Sequence, residues 1–121
     1  MDDDESIREA TKGLVRSLGY LAATFASAEE FLSSDRVDDT RCLITDVQMP
    51  GLSGVELQRR LIAQGRPMPT IFVTAYPDDR TRSRVLNAGA IGYLSKPYSE
   101  ESLIQCLDTA LSGPDAGAAP S

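Results

Sequence analysis

Polar side chains that can do chemistry stand at the ends of three apolar runs. Asp46 follows one run, Thr74 closes the next, and Lys96 comes directly after the third. If each run is a buried parallel strand, the carboxyl ends meet at one edge of the sheet, where open α/β sheets bind their ligands. The sequence therefore predicts a carboxylate, a hydroxyl and an ammonium group at one place. The runs cover residues 42–45, 70–73 and 91–95.

This combination suits phosphoryl transfer. Two further carboxylates, Asp2 and Asp3, precede the first helical pattern, where an earlier strand would have ended. Mg²⁺ prefers oxygen ligands and usually takes one or two protein carboxylates together with phosphate oxygens and water. A carboxylate beside the cation can form an aspartyl phosphate, while an ammonium group and a hydroxyl contact the phosphoryl oxygens. Asp46 is the candidate nucleophile, and Lys96 and Thr74 are the candidate phosphoryl contacts.

Composition excludes several other classes of protein. The 121 residues contain no histidine, which rules out serine-type triads, histidine bases and most zinc sites. Cys42 and Cys106 form no metal-binding spacing and are interpreted as core residues in a reducing compartment. The net charge of −6 argues against direct nucleic-acid binding. An acidic N-terminus and the lack of a long apolar stretch predict a cytoplasmic chain that neither inserts into nor binds a membrane.

Helical and strand patterns alternate along the chain. Capping boxes begin at Ser27 and Ser53, and Ser99 caps the last helix. Glycines end three of the helical patterns. The alternation predicts an α/β domain over residues 1–112, with a parallel sheet and helices on both faces, followed by a disordered tail over residues 113–121. Helices are expected near residues 6–18, 28–32, 54–64, 79–88 and 100–111, and strands near 20–25, 42–45, 70–74 and 91–95.

Five motifs, in this order and spacing, resemble the receiver domains of two-component response regulators. The resemblance extends from Asp2 to about Leu111 and is strongest to receivers that precede LuxR-type DNA-binding domains. It implies a flavodoxin-like fold. The motifs are Asp2-Asp3-Asp4 with Arg8, Ile44-Thr-Asp-Val-Gln-Met-Pro-Gly-Leu-Ser-Gly54, Phe72-Val-Thr-Ala75, Ala88-Gly-Ala and Tyr93-Leu-Ser-Lys-Pro97.

The resemblance implies a role for each matching position. Asp46 would be the phosphoacceptor, and Lys96 would bind the phosphoryl group. Mg²⁺ would be held by Asp2, Asp3, Asp46 and the backbone carbonyl of Gln48.

Other matching positions would transmit the signal. Thr74 would be the switch hydroxyl, with Tyr93 as the aromatic that swings inward when Thr74 moves. The small Ala75 would leave room for the phosphoryl group. Gln48 and Tyr76 hold the positions that tune phosphate loss in the family.

The implied function is that of a single-domain response regulator. It would take a phosphoryl group from a histidine kinase or a histidine phosphotransfer protein and lose it by slow self-dephosphorylation, so it is not an enzyme in the metabolic sense. A downstream protein partner, or a second copy in a homodimer, would bind the helix over residues 80–88, Tyr93 and the last helix.

Two alternatives remain open at this level. The first is a phosphorylation-independent interaction module with the same fold. The second is a small phosphatase with an aspartyl nucleophile, which is disfavoured because such enzymes resemble one another in having a second Asp where Gln48 stands.

One family feature has no counterpart in the sequence. Receivers have a central first strand in a sheet of order 2-1-3-4-5, and no apolar run precedes the first helix here. A start placed too far downstream, a truncated chain and a degenerate relative would each explain this difference.

Overall fold

The computed structural model describes residues 1, 5–35, 37, 40–49, 51–66, 68–96 and 98–118. From residue 28 onward, helices and strands alternate as predicted. The helices are α1 (Glu5–Ser17), α2 (Ala28–Ser33), α3 (Gly54–Ala63), α4 (Asp79–Asn87) and α5 (Glu100–Ala118), and the strands are β1 (Leu43–Asp46), β2 (Thr70–Thr74) and β3 (Gly92–Ser95).

The three strands form a parallel sheet in the order β1-β2-β3. Asp46 pairs with Val73, and Thr74 pairs with Ser95. The register therefore brings the carboxyl ends of all three strands to one edge. All five residues of the central strand β2 are buried, and each fully buried large apolar side chain contributes about 1.5–3 kcal/mol. The predicted parallel α/β architecture is confirmed.

Helices cover both faces of this sheet, because successive side chains of a strand point in opposite directions. Leu43 packs into a cluster with side chains of α2 and α3, whereas the next residue, Ile44, packs against a cluster from α1 and α5. Phe72 lies in a third cluster with Val85 of α4. The core thus has two layers, with α2, α3 and α4 on one face and α1 and α5 on the other.

The capping signals act as the sequence predicted. The Ser27 hydroxyl accepts a hydrogen bond from the Glu30 N–H at 3.1 Å, and the Ser53 hydroxyl accepts one from the Glu56 N–H at 3.2 Å. These bonds satisfy N–H groups that the first turn of a helix leaves without partners. At the other ends, the predicted terminators have positive φ, as Gly89 illustrates with +106°.

The strand predicted near residues 20–25 is wrong, because this segment has no regular secondary structure. A strand exists only through pairing with a neighbour, and apolar residues cannot define one alone. The described residues provide no strand beside this segment, and Leu21 is fully exposed.

The outer edge of β1 is occupied by Met1. The Met1 amino group donates a hydrogen bond to the Ile44 carbonyl, and the Asp46 N–H donates one to the Met1 carbonyl at 2.9 Å. This is the pattern that one residue of a parallel strand makes with its neighbour. The predicted metal ligands Asp2 and Asp3 follow directly and lie outside the described residues.

The last helix is longer than its apolar face. The tail from residue 113 was expected to be disordered, but α5 continues to Ala118, and residues 119–121 lie outside the described residues. Within this extension Pro114 has no backbone N–H and so contributes no hydrogen bond of the helical series. Among the described residues, no helix combines the length and the apolar character needed to cross a bilayer.

Both cysteines are free and pack against the core cluster between α1, α5 and the sheet. Burial, reinforced by the neighbouring Cys106, raises the pKa of the Cys42 thiol from 9.0 to about 12. Burial also raises the pKa of Cys106. Because only the thiolate reacts, both residues are suited to packing and not to redox chemistry.

The raised pKa of Cys42 predicts a loss of stability at alkaline pH. Above about pH 9 the unfolded thiol loses its proton while the folded thiol keeps it, so the free energy of unfolding falls as pH rises toward 12. Cys42→Val removes this titration and preserves an apolar side chain. The free energy of unfolding, measured in urea, should therefore fall more steeply with pH in the wild type than in the variant. Equal slopes in the two proteins would contradict the prediction.

Candidate functional site

Asp46 is the last residue of β1 and is 7% exposed. Its Oδ2 accepts a hydrogen bond from the Lys96 ammonium group at 2.7 Å, and its Oδ1 accepts one from the Gln48 N–H at 3.1 Å. Each carboxylate oxygen therefore has a donor that fixes its direction. The structure brings the predicted nucleophile and the predicted phosphoryl-binding lysine into direct contact.

Thr74 lies at the end of the central strand, between the strands that lead to Asp46 and Lys96. Its side chain is fully buried, and its hydroxyl oxygen accepts a hydrogen bond from the Tyr76 N–H at 3.0 Å. Its carbonyl accepts a hydrogen bond from the Lys96 N–H at 2.7 Å. Lys96 is thus held to Thr74 through its backbone and to Asp46 through its side chain.

The Asp46–Lys96 ion pair is sheltered from solvent, with side-chain exposures of 10% and 18%. Burying either charge alone would cost several kcal/mol, and pairing offsets this cost through a short, charge-assisted hydrogen bond. The carboxylate of Asp46, the predicted nucleophile, can therefore lie at a largely buried position with a positive charge beside it. That charge is placed where a phosphoryl group attached to Asp46 would need compensation.

Tyr93, the predicted switch aromatic, is half-buried on β3. Its hydroxyl oxygen accepts a hydrogen bond from the Asp78 N–H at 3.1 Å. Asp78 caps α4, and its carboxylate accepts hydrogen bonds from the Thr81 hydroxyl at 2.9 Å and from the Thr81 N–H at 3.3 Å. The position of Tyr93 is thereby tied to the start of α4.

The bonds from Thr81, together with the nearby Arg80 charge, lower the pKa of Asp78. Asp78 is not among the site residues predicted from the sequence. An Asp directly before a helical pattern was the available signal for the cap, but its contact with Tyr93 had no signal in the sequence.

The oxygen atoms at this edge suit a hard cation. The described residues contain no group of three side chains that could hold a metal, but Mg²⁺ needs only one or two protein carboxylates. The Asp46 carboxylate meets that need among the described residues, and Gln48, exposed in the following loop, offers a backbone carbonyl. Asp2 and Asp3 lie outside the described residues, so their predicted role stays a prediction.

The loop after Asp46 returns closely to the strand that it leaves. The Gly54 N–H donates a hydrogen bond to the Val47 carbonyl at 3.0 Å. A Cβ atom added at Gly54 would lie 2.3 Å from the Asp46 carbonyl oxygen and 3.1 Å from the Thr45 hydroxyl. The first residue of α3 can therefore lie this close only without a side chain.

Gly54→Ala should destabilise the fold by about 1–3 kcal/mol, because the backbone of Asp46 would have to move. Gly13→Ala is the matched control, since an added Cβ at this helical position meets no atom within 4 Å and should stabilise by about 0.5–1 kcal/mol. Urea unfolding measures both. Equal effects of the two substitutions would show that the close approach at Gly54 does not affect the free energy of unfolding.

Comparison with known proteins is consistent with this geometry. The family model described as "Response regulator receiver domain" matches residues 1–108. The response regulator protein TmoT of Ectopseudomonas mendocina is 40% identical over 111 residues, which cover 92% of this chain and 50% of that protein. This chain thus spans about half the length of the curated relatives that it matches.

Solved structures agree with the match. The structure of the response regulator StyR is 40% identical with a TM-score of 0.85, covering 93% of this chain and 57% of that one. A response regulator receiver protein from Pseudoalteromonas atlantica is 29% identical with a TM-score of 0.85, covering 93% and 94% of the two chains.

Proposed function

This chain belongs to the response regulator receiver family, and we propose that it accepts a phosphoryl group on Asp46 from a histidine kinase or a histidine phosphotransfer protein. Receivers are signalling domains and not classical enzymes. The observation that supports Asp46 as the acceptor is its 2.7 Å contact with the Lys96 ammonium group beside the buried Thr74. No other described carboxylate has these neighbours at the carboxyl edge of the sheet.

In the proposed reaction, a carboxylate oxygen of Asp46 attacks the phosphorus of a phosphohistidine. The new bond joins oxygen to phosphorus, the phosphorus–nitrogen bond breaks, and its electron pair returns to the imidazole of the donor, which takes up a proton. Lys96 then redirects its ammonium group to the phosphoryl oxygens, where negative charge accumulates.

The Asp46 carboxylate and the backbone carbonyl of Gln48, together with Asp2 and Asp3, are the candidate ligands for Mg²⁺. When bound, the cation would neutralise negative charge on the phosphoryl oxygens. Slow self-dephosphorylation would follow by attack of water. Gln48 and Tyr76 are both exposed near the acceptor and so stand where they would control access of that water.

The proposed switch runs through Thr74, Tyr93 and Asp78. If the Thr74 hydroxyl turns to donate to the phosphoryl group, it loses its present bond with the Tyr76 N–H. Inward rotation of Tyr93 would in turn remove the acceptor of the Asp78 N–H at the start of α4. Phosphorylation would thereby alter the surface formed by α4, Tyr93 and α5, which we propose as the binding surface for a protein partner or a second copy.

Intact mass after treatment with acetyl phosphate tests the acceptor. The wild type should gain one phosphoryl group in the presence of Mg²⁺ and none without it, because the acceptor site lacks the cation's charge. Asp46→Asn should gain none, whereas Asp108→Asn, an exposed aspartate on α5, should behave like the wild type. A folded wild-type chain without an adduct would favour a phosphorylation-independent interaction module.

The partner surface is tested by charge reversal on α4. Arg84 is exposed on that helix, and Arg60 is a similarly exposed control on α3. Phosphorylated wild type should self-associate in sedimentation velocity. Arg84→Glu should weaken that association at least about tenfold, because like charges across an interface repel. Unchanged association in Arg84→Glu, or an equal loss in Arg60→Glu, would exclude α4 as the specific surface.

A further inference from the structure

The loop that follows Asp46 is attached to a helix that lies outside the acceptor site. The Glu29 carboxylate, on α2, accepts a hydrogen bond from the Leu52 N–H at 3.0 Å. The two residues are separated by 23 positions in the chain. Neither the candidate acceptor chemistry nor the capping of α2 requires this contact, since the Ser27 hydroxyl caps the helix and Glu30 accepts from the Ala26 N–H just before it.

Gly51 makes room for the same carboxylate. Its φ of +78° lies in the left-handed region, which glycine adopts with little cost. A Cβ atom at this position would lie 2.6 Å from the Glu29 Oε2 atom. The loop therefore carries both a donor for Glu29 and a space for it on consecutive residues.

Apolar packing joins the same two segments. Met49, within the loop, is buried in one cluster with Ala28 and Phe31 of α2, and Leu52 packs against that cluster. Glu29 thus adds a directional bond to a contact that burial alone would leave free to slide. Hydrogen bonds fix direction more sharply than apolar contacts do.

The position of this loop influences how the Asp46 carboxylate is oriented. The Gln48 N–H donates to Asp46 Oδ1 at 3.1 Å, so the direction of the carboxylate depends on the path of the loop. That path is fixed on one side by β1. On the other side it is held by the Gly54–Val47 hydrogen bond, by the packing of Met49 and by the bond between Glu29 and Leu52.

We infer that Glu29 is a positioning residue for the acceptor site, acting through residues 47–49 and 51–53 of the loop that follows Asp46. This inference rests on the proposed function of Asp46. Glu29 holds the loop so that the backbone of Gln48 faces Asp46 in the orientation needed for the cation. Removing Glu29 should therefore raise the Mg²⁺ concentration needed for half-maximal phosphorylation and leave the rate at saturating Mg²⁺ nearly unchanged.

Three variants of the full chain separate positioning from simple stability. Glu29→Ala removes the acceptor, Glu29→Gln keeps an amide oxygen in its place, and Glu30→Ala is the control on the same helix. Backbone amide exchange, followed by NMR for Leu52 and Gln48, reports the loop directly. Intact mass at graded Mg²⁺ concentrations, with acetyl phosphate as donor, reports the acceptor site.

In Glu29→Ala we expect the Leu52 amide to exchange about tenfold faster, with faster exchange at Gln48 and a several-fold rise in the half-maximal Mg²⁺ concentration. Glu29→Gln should stay close to the wild type in both measurements, because the amide oxygen still accepts a hydrogen bond from the Leu52 N–H. Glu30→Ala should change neither measurement.

Each contrary result has a distinct meaning. Unchanged Leu52 exchange in Glu29→Ala, or an unchanged Mg²⁺ dependence despite faster exchange, overturns the positioning role while the proposed function stands. An equal Mg²⁺ shift in Glu30→Ala would show that the shift comes from a less stable α2, and it would also overturn the positioning role. If the folded wild type takes no phosphoryl group at any Mg²⁺ concentration, the proposed function itself fails, and the inference fails with it.

Discussion

The ion pair between Asp46 and Lys96 joins the two outer strands of the sheet across the end of the central one. It can form only if β1, β2 and β3 end at the same level, which the parallel register secures by pairing Asp46 with Val73 and Thr74 with Ser95. The Lys96 N–H bond to the Thr74 carbonyl then sets where the ammonium group begins. A shift of one residue in any strand would turn side chains to the opposite face and separate the two charges.

The same ion pair constrains what surrounds it. A carboxylate that is 7% exposed needs hydrogen-bond donors. Among the described residues, these donors are Lys96, directly after β3, and Gln48, in the loop that follows β1. The close approach of Gly54 to the Asp46 carbonyl holds that loop against the strand. The site is therefore a property of backbone paths as much as of its side chains.

Two side-chain hydrogen bonds also connect this site to α4 and α2. The Tyr93 hydroxyl accepts a hydrogen bond from the N–H of Asp78, the cap of α4. The Glu29 carboxylate accepts one from the N–H of Leu52, in the loop that follows Asp46. The bond to Tyr93 lies at the surface that phosphorylation is proposed to change. The bond to Glu29 holds the loop whose Gln48 N–H orients the Asp46 carboxylate. Both are single hydrogen bonds at exposed positions, so each can break at modest cost, and a switch needs contacts of that kind.

The sequence by itself determined the elements and the strand ends. Apolar runs, serine caps and glycine terminators are local signals. They located the first four helices, the start of the last one and the three paired strands to within a few residues, together with Asp46, Thr74 and Lys96 at the strand ends. The roles of these residues and of Tyr93 rested on resemblance to a family. Tertiary structure decided what depends on residues distant in the chain. Residues 20–25 form no strand because pairing needs a neighbour, and Met1 lies on the edge of β1. Glu29 contacts the loop that follows Asp46, and Asp78 contacts Tyr93. No local pattern encodes such contacts, since each depends on where two separately folded segments meet.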